Sequence, residues 1–426
     1  MKYENNWASL NTRPVPQWFA DAKFGVFIHW GLYSVPSFTK NGDYAEWYAK
    51  QLESGSEEVR AFHERVYPGK KYEDFVSDFK AELFDADRWA DLFQKAGAKY
   101  INFVSKHHDG FCMYKSDYAW NWNSVDVGPH RDFCAELKQA LAYTDVRFGV
   151  YHSVYEWYNP LMKVPEEYAL KHLLPMLREL ILKYEPATLF TDGEWDQESS
   201  VWHATDFLTW LYNESPVREF IVPNDRWGKE TRGRLGGNFT TEYGEICNGK
   251  KIEDVVLDRP FEECRGIGRS FGLNRIEGTR DYLSAKELLT MLCDLVSKGG
   301  NFLLNIGPCA DGTIPVIMEE RLLQMGAWLK INGEAIYGTR PHAVSSVPGI
   351  YYTKKGGSVY AISERFPFDS LLLPEIPYRD GMRVTLLCAP DAPISAVNDH
   401  GRLLLSIPPL NPDALSVGDL YAFRID

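Results

Sequence analysis

Between residues 20 and 335 the chain alternates short apolar runs with longer amphipathic stretches, the pattern of a parallel sheet whose strands are separated by covering helices. The runs predict strands at Phe24–His29, Tyr100–Ser105, Arg147–His152, Thr188–Asp192, Phe220–Asn224, Asn238–Tyr243 and Asn301–Ile306, and Phe261–Ile267 completes eight. Several read apolar on both faces, as expected when helices cover the outside of a parallel sheet and packed side chains fill the inside. Helical periodicity falls between them, at Ala86–Ala96, Arg131–Ala142, Pro165–Tyr184, His203–Tyr212, Ser284–Ser297 and Pro315–Asn332. Ser284 with Glu287 three residues on makes a capping box, and Gly299 provides the stop. The expected fold class is α/β, a (β/α)8-like TIM barrel over residues 1–338. After Tyr337 the pattern shifts to short strands broken by Pro and Gly (GIYYTKKGGSVYAIS, MRVTLLCAP, GRLLLSIPPL), which predicts a smaller antiparallel β-domain over 339–426.

Composition narrows the chemistry. A net charge of -13 with no Lys/Arg run argues against a nucleic-acid surface. The 13 Trp, 24 Tyr and 23 Phe supply flat rings beyond what a core of this size requires, and sugars stack on such rings through their C–H faces. Cys112, Cys134, Cys247, Cys264, Cys293, Cys309 and Cys388 form no C-x-x-C pair and read as reduced thiols. With no basic-then-apolar start and no long apolar segment, the expectation is a cytoplasmic protein without a membrane span.

Polar residues of catalytic type cluster at the C-terminal ends of the predicted strands, which form one face of a barrel. His29, His107, His108, Tyr151, His152, Asp192, Arg226 and Glu242 are therefore expected to converge. Asp192 ends the run TLFTD, and Gly193 lets the chain turn at once, leaving the carboxylate at the rim. A helix-capping role for it is weaker, because the next helix begins only near His203. A glycosidase needs an ionised carboxylate and a second, protonated one. The second has several sources: Glu194 is too near in sequence, Glu242 lies on another strand, and Glu262 with Glu263 reads best as loop salt bridging. Glu46 and Trp47 place an acceptor beside a stacking ring. His29, His107, His108 and Asp109 match none of the recognised metal-site spacings, so no metal and no other cofactor are expected.

The motifs FGVFIHWGLYSVPSF, EWY, SKHHDGFCMYKS, RFGVYHS, TDGEWD, NDRWG, TTEY, GIGRSFGLNR and SKGGNFLLNIGPCADGTIP, in order from Trp18 to Gly338, closely resemble the alpha-L-fucosidases of glycoside hydrolase family 29. The resemblance after residue 340 is weaker and implies a C-terminal β-sandwich. It implies a retaining exo-alpha-L-fucosidase acting on fucosylated glycans or glycosides through a covalent fucosyl-enzyme, with Asp192 as nucleophile and Glu242 as acid/base. Glu262 and Glu263 stay open as alternatives for the second role, since other branches of the family take it from a different loop. His29, Glu46, Trp47, His107 and His108 resemble the hydroxyl-binding and stacking set. Tyr151 and Arg226 match residues that position the carboxylates, and Phe271 a ring lining the sugar pocket. Members are often oligomeric, which makes a homo-oligomer an open expectation. Rival readings are a sugar-binding protein without turnover and a barrel enzyme of another sugar specificity.

Overall fold

The computed structural model describes residues 2–246, 250–251, 259–366, 368–411, 413, 415 and 417–426. Cys247 lies outside them. Its parallel strands are β1 (Phe24–Ile28), β2 (Tyr100–Lys106), β3 (Val150–Ser153), β4 (Thr188–Asp192), β5 (Val222–Pro223) and β6 (Phe239–Glu242), followed by β9 (Phe261–Gly266) and β10 (Asn301–Ile306). Between β6 and β9 the two-residue strands β7 (Glu245–Ile246) and β8 (Lys250–Lys251) extend the sheet antiparallel.

The strand order β5-β4-β3-β2-β1-β10-β9-β6 curls the eight parallel strands around, and a bridge between Asn224 and Asn238 joins the two ends. The seam is thin. Asn238 donates its amide to the Pro223 carbonyl at 3.0 Å, but Pro223 has no N–H to return, so β5 is two residues long instead of the five predicted. Likewise β3 begins at Val150, and Arg147 contributes only an isolated bridge to Tyr100. Five of the predicted helices fall at Ala86–Lys95, Phe133–Leu141, Ala204–Asn213, Ala285–Ser297 and Val316–Asn332, within two residues of expectation, while the helices Gln17–Ala22, Tyr48–Ser54 and Glu57–Val66 were not foreseen. The Ser284–Glu287 capping box forms, and Gly299 adopts φ 94° after the helix. Only the segment 165–184 departs in kind: a π-helical turn, Ala169–Leu173, separates helices Pro165–Tyr168 and Leu174–Tyr184.

Period-two alternation divides each strand between two cores. Phe27, Tyr100, Val104, Tyr151, Phe190, Cys264 and Leu303 fill the inside. Phe24, Val26, Ile28, Ile101, Phe103, Val150, Leu189 and Leu304 pack outward under the helices.

The C-terminal part is antiparallel. Strands β11 (Arg340–Val347), β12 (Ile350–Lys355), β13 (Ser358–Ser363), β18 (Tyr421–Ile425) and β15 (Val384–Leu386) form one sheet; β14 (Ser370–Pro377), β17 (Arg402–Ser406) and β16 (Ser395–Asp399) form the other. Tyr352, Ala361 and Phe423 of the first meet Leu373, Leu403 and Leu405 of the second in one core. Trp328 of the last barrel helix donates its indole N–H to the Leu420 carbonyl at 2.8 Å. Tyr360, Ile362, Leu420 and Ala422 join the barrel's outer core. Among the described residues no helix is long and apolar enough to cross a membrane. Cys112, Cys134, Cys264, Cys293 and Cys309 are free thiols.

Candidate active site

At the C-terminal face of the parallel strands lies a hollow of about 270 Å3, and it is lined by ten of the residues named for the site from sequence: His29, Glu46, Trp47, His107, His108, Tyr151, Asp192, Arg226, Glu242 and Phe271. The alternation that builds the core also delivers these groups. His29 stands two residues beyond the inward Phe27, Asp192 two beyond Phe190, and Glu242 two beyond Thr240, so each continues an inward-facing row to the rim.

Asp192 ends β4, and Gly193 turns the chain with φ 93°. A Cβ on Gly193 would stand 2.7 Å from Cβ of Tyr155, so the turn needs glycine on both counts. The next helix starts at Ala204, so Asp192 caps none. Its Oδ1 accepts from Arg226 Nη1 at 2.7 Å and from Arg232 Nη2 at 3.3 Å; its Oδ2 accepts from the Tyr151 hydroxyl at 3.1 Å. Burial by itself would push this carboxyl up, but the guanidiniums of Arg226 and Arg232 outweigh it and hold the group well below the ordinary carboxylate range.

The same Arg226 Nη1 is ion-paired with Oε1 of Glu242, which Arg232 Nη2 also approaches at 3.8 Å. One nitrogen touching both carboxylates limits their facing oxygens to roughly two hydrogen-bond lengths, about 6 Å at most. Arg226 is fixed in turn by its Nε–H bond to Thr240 Oγ1 at 3.0 Å and by lying 4.6 Å over the Phe190 ring. Arg232 is anchored behind by the buried Glu194, 2.7 Å from Nε to Oε1.

The histidines are neutral in the physiological range. Burial lowers His29 to about 3 and His108 to about 4, and drives His107 well below its usual value. Asn305 donates Nδ2–H to the Phe271 carbonyl at 2.6 Å, which leaves its Oδ1 to accept from His29 Nδ1 at 2.6 Å. That fixes the His29 tautomer and presents a bare Nε2 acceptor toward the hollow. His108 Nδ1 is held 2.6 Å from Ser153 Oγ. Glu46 accepts from the Gly272 amide at 2.7 Å, yet burial raises its carboxyl to about 7.

Two expectations need correcting. His152 does not reach the hollow: it follows inward Tyr151, so alternation turns it outward, where its Nδ1 lies 3.1 Å from Ser105 Oγ. Glu262 is not a loop salt bridge but an inward residue of β9, hydrogen-bonded to the Tyr100 hydroxyl and raised by burial to about 7. Glu263 is the next, outward residue of that strand, only 8% exposed. Neither lines the hollow. Asp109 accepts from the Tyr72 hydroxyl at 2.7 Å.

The sequence reading missed Phe27, Tyr44, Phe190, Trp195, Arg232 and Cys264 among the lining residues. Phe27 and Phe190 stand two positions before residues already named, so the strand period could have found them. Arg232 sits in the irregular stretch between β5 and β6, where no local pattern marks it.

Residues 1–334 match the family model described as Alpha-L-fucosidase. The chain is 40% identical over 437 residues to the tissue alpha-L-fucosidase of Homo sapiens, covering 100% of this chain and 92% of that one. It is 44% identical over 380 residues to the plasma alpha-L-fucosidase of Homo sapiens, covering 86% and 79%. The crystal structure of a Thermotoga maritima alpha-fucosidase in complex with a mechanism based inhibitor superposes with a TM-score of 0.86 at 34% identity, covering 100% of each chain.

Proposed function

Because the chain belongs to the alpha-L-fucosidase family and is a glycoside hydrolase, we propose that it removes terminal α-L-fucose from glycans or glycosides with retention of configuration, through a covalent fucosyl-enzyme. The observation that carries this reading is the double contact of Arg226 Nη1 with Asp192 and Glu242. Retaining glycosidases hold their two carboxyls about 5–5.5 Å apart, whereas inverting ones need about 6.5–9.5 Å to admit a water. A pair bridged by one nitrogen supports the former.

In this mechanism Asp192, kept ionised by Arg226 and Arg232, attacks the anomeric carbon. The bond from that carbon to the aglycone oxygen breaks as Glu242 gives its proton to the leaving oxygen. Water then attacks the anomeric carbon of the fucosyl-enzyme as Glu242 takes its proton, and the bond from that carbon to Asp192 breaks, so the carboxylate leaves. The Tyr151 hydroxyl and Arg226 orient the nucleophile's two oxygens. Neutral imidazoles suit a neutral sugar, offering hydroxyls an acceptor at His29 without an unpaired buried charge. Phe27, Phe190 and Phe271 give the C6 methyl group an apolar wall. A galactoside, carrying a hydroxyl at that carbon, would leave it unpaired against the wall.

Asp192→Asn should lower kcat on an aryl α-L-fucoside by several orders of magnitude while leaving fucose binding within about ten-fold. Proton NMR of the wild-type reaction should show the α-anomer of fucose first. Near-wild-type turnover by the variant, or the β-anomer as first product, would end this assignment.

A further inference from the structure

The hollow holds one sugar ring, and the rest of a natural substrate must lie outside it. From two rings of its lining, Trp195 and Trp47, an aromatic surface continues outward into a region that the chemistry above does not use. From Trp195 the rings run to Trp47 at 5.6 Å between centroids, on to Trp157 at 5.1 Å and to Tyr158 at 6.4 Å. Tyr158 opens onto two adjoining clefts of about 340 and 680 Å3, both also lined by Trp122 and Asp109. Tyr118 and Trp120 line the smaller one. Three of these rings stand unusually open for their size: Trp120 is 78% exposed, Tyr158 47% and Tyr118 43%.

The wall between hollow and clefts is the segment following β2. His107 and His108 line the hollow, while Asp109 and Gly110 line the clefts. Trp122 Nε1–H binds the Asp109 carbonyl at 3.0 Å and the Trp157 amide binds the His108 carbonyl at 2.9 Å, so the two sites share one support.

We infer that these clefts form a carbohydrate-binding site for the neutral pyranose units that carry the fucose, an inference that rests on the alpha-L-fucosidase reading. The lining chemistry selects this occupant. Rings interrupted by the exposed carboxylates of Glu53 and Glu73 match a pyranose, whose C–H faces stack and whose hydroxyl edges need acceptors. Lys70 and Lys71 line the same cleft, with Lys71 3.9 Å from Glu73 and Lys50 3.2 Å from Glu53, so its charges are paired with one another and suit a neutral ligand, whereas an amphipathic peptide would call for a continuous aliphatic face.

The test compares Trp120→Ala, Tyr158→Ala and the double variant on two substrate types: 4-nitrophenyl α-L-fucoside, which has no pyranose beyond fucose, and a set of fucosyllactoses. Each ring removed should lower kcat/KM on whichever fucosyllactose is cleaved by about two- to ten-fold, mainly through KM, with the nitrophenyl substrate unchanged within about two-fold. Trp120→Phe should retain most of the activity. Equal losses on both substrates, no loss on either, or a wild-type enzyme that cleaves the nitrophenyl fucoside but no fucosyllactose would each overturn the inference. Failure of the wild type on the nitrophenyl fucoside itself would instead sink the fucosidase reading.

Discussion

Arg232 shows what a single side chain adds at this site. It approaches both Asp192 and Glu242 and is itself neutralised by Glu194, which is fully buried. A carboxyl held below its ordinary range, as Asp192 is, lends stability that is present above its unfolded value of about 3.9 and is lost as pH falls through the folded one. Removing Arg232 weakens that hold, so Asp192 moves up and the acidic limb of kcat/KM for Arg232→Gln should shift to higher pH. The same change strands Glu194 as a buried charge, at a cost of about 3–5 kcal/mol in denaturant titrations. Adding Glu194→Gln should recover most of that stability without returning the acidic limb. A pH profile unchanged in Arg232→Gln would show that Arg232 does not help to set the nucleophile's charge.

Among the elements, the thin seam between β5 and β6 is where fold and site are most tightly joined. Arg226 follows β5 and Glu242 ends β6, and one bridge with its flanking bonds holds the two strands together. Gly237 makes that approach possible: a Cβ there would stand 1.6 Å from the Pro223 carbonyl oxygen, a backbone atom that cannot swing aside. Gly237→Ala should therefore spread the seam, costing about 1–3 kcal/mol or more by thermal denaturation and at least about ten-fold in kcat. Wild-type kinetics in this variant would mean that the seam can open without moving Arg226 or Glu242. The sequence marked both strands but not their junction. Pro223 and Gly237 lie fourteen residues apart in the sequence, and only pairing around the whole sheet brings them together.

Across the whole molecule, the antiparallel sheets are fastened to the barrel by a shared apolar core and by Trp328, 2% exposed and bonded to the Leu420 carbonyl. Trp328→Ala should cost about 3–5 kcal/mol. Calorimetry should show the single wild-type transition moved to lower temperature, with kcat per folded molecule unchanged, because the residue lies on an outer helix away from the hollow. Two separate transitions in the wild-type protein would mean that the parts unfold independently.

The sequence by itself marked the eight parallel strands and, at their ends, His29, Tyr151, Asp192, Arg226 and Glu242 of the hollow, because strand periodicity and the turn at Gly193 are local properties and a parallel barrel sends every strand end to one face; Phe271 came from the family resemblance alone. It could not place His152, Glu262 or Arg232. The first two depend on which residue of a strand faces inward, which a one-residue change in register reverses, and the third on a loop without periodicity. The bridging of Asp192 and Glu242 through one guanidinium nitrogen was likewise settled by tertiary structure alone. Distances between residues far apart in the chain exist only once the sheet has closed.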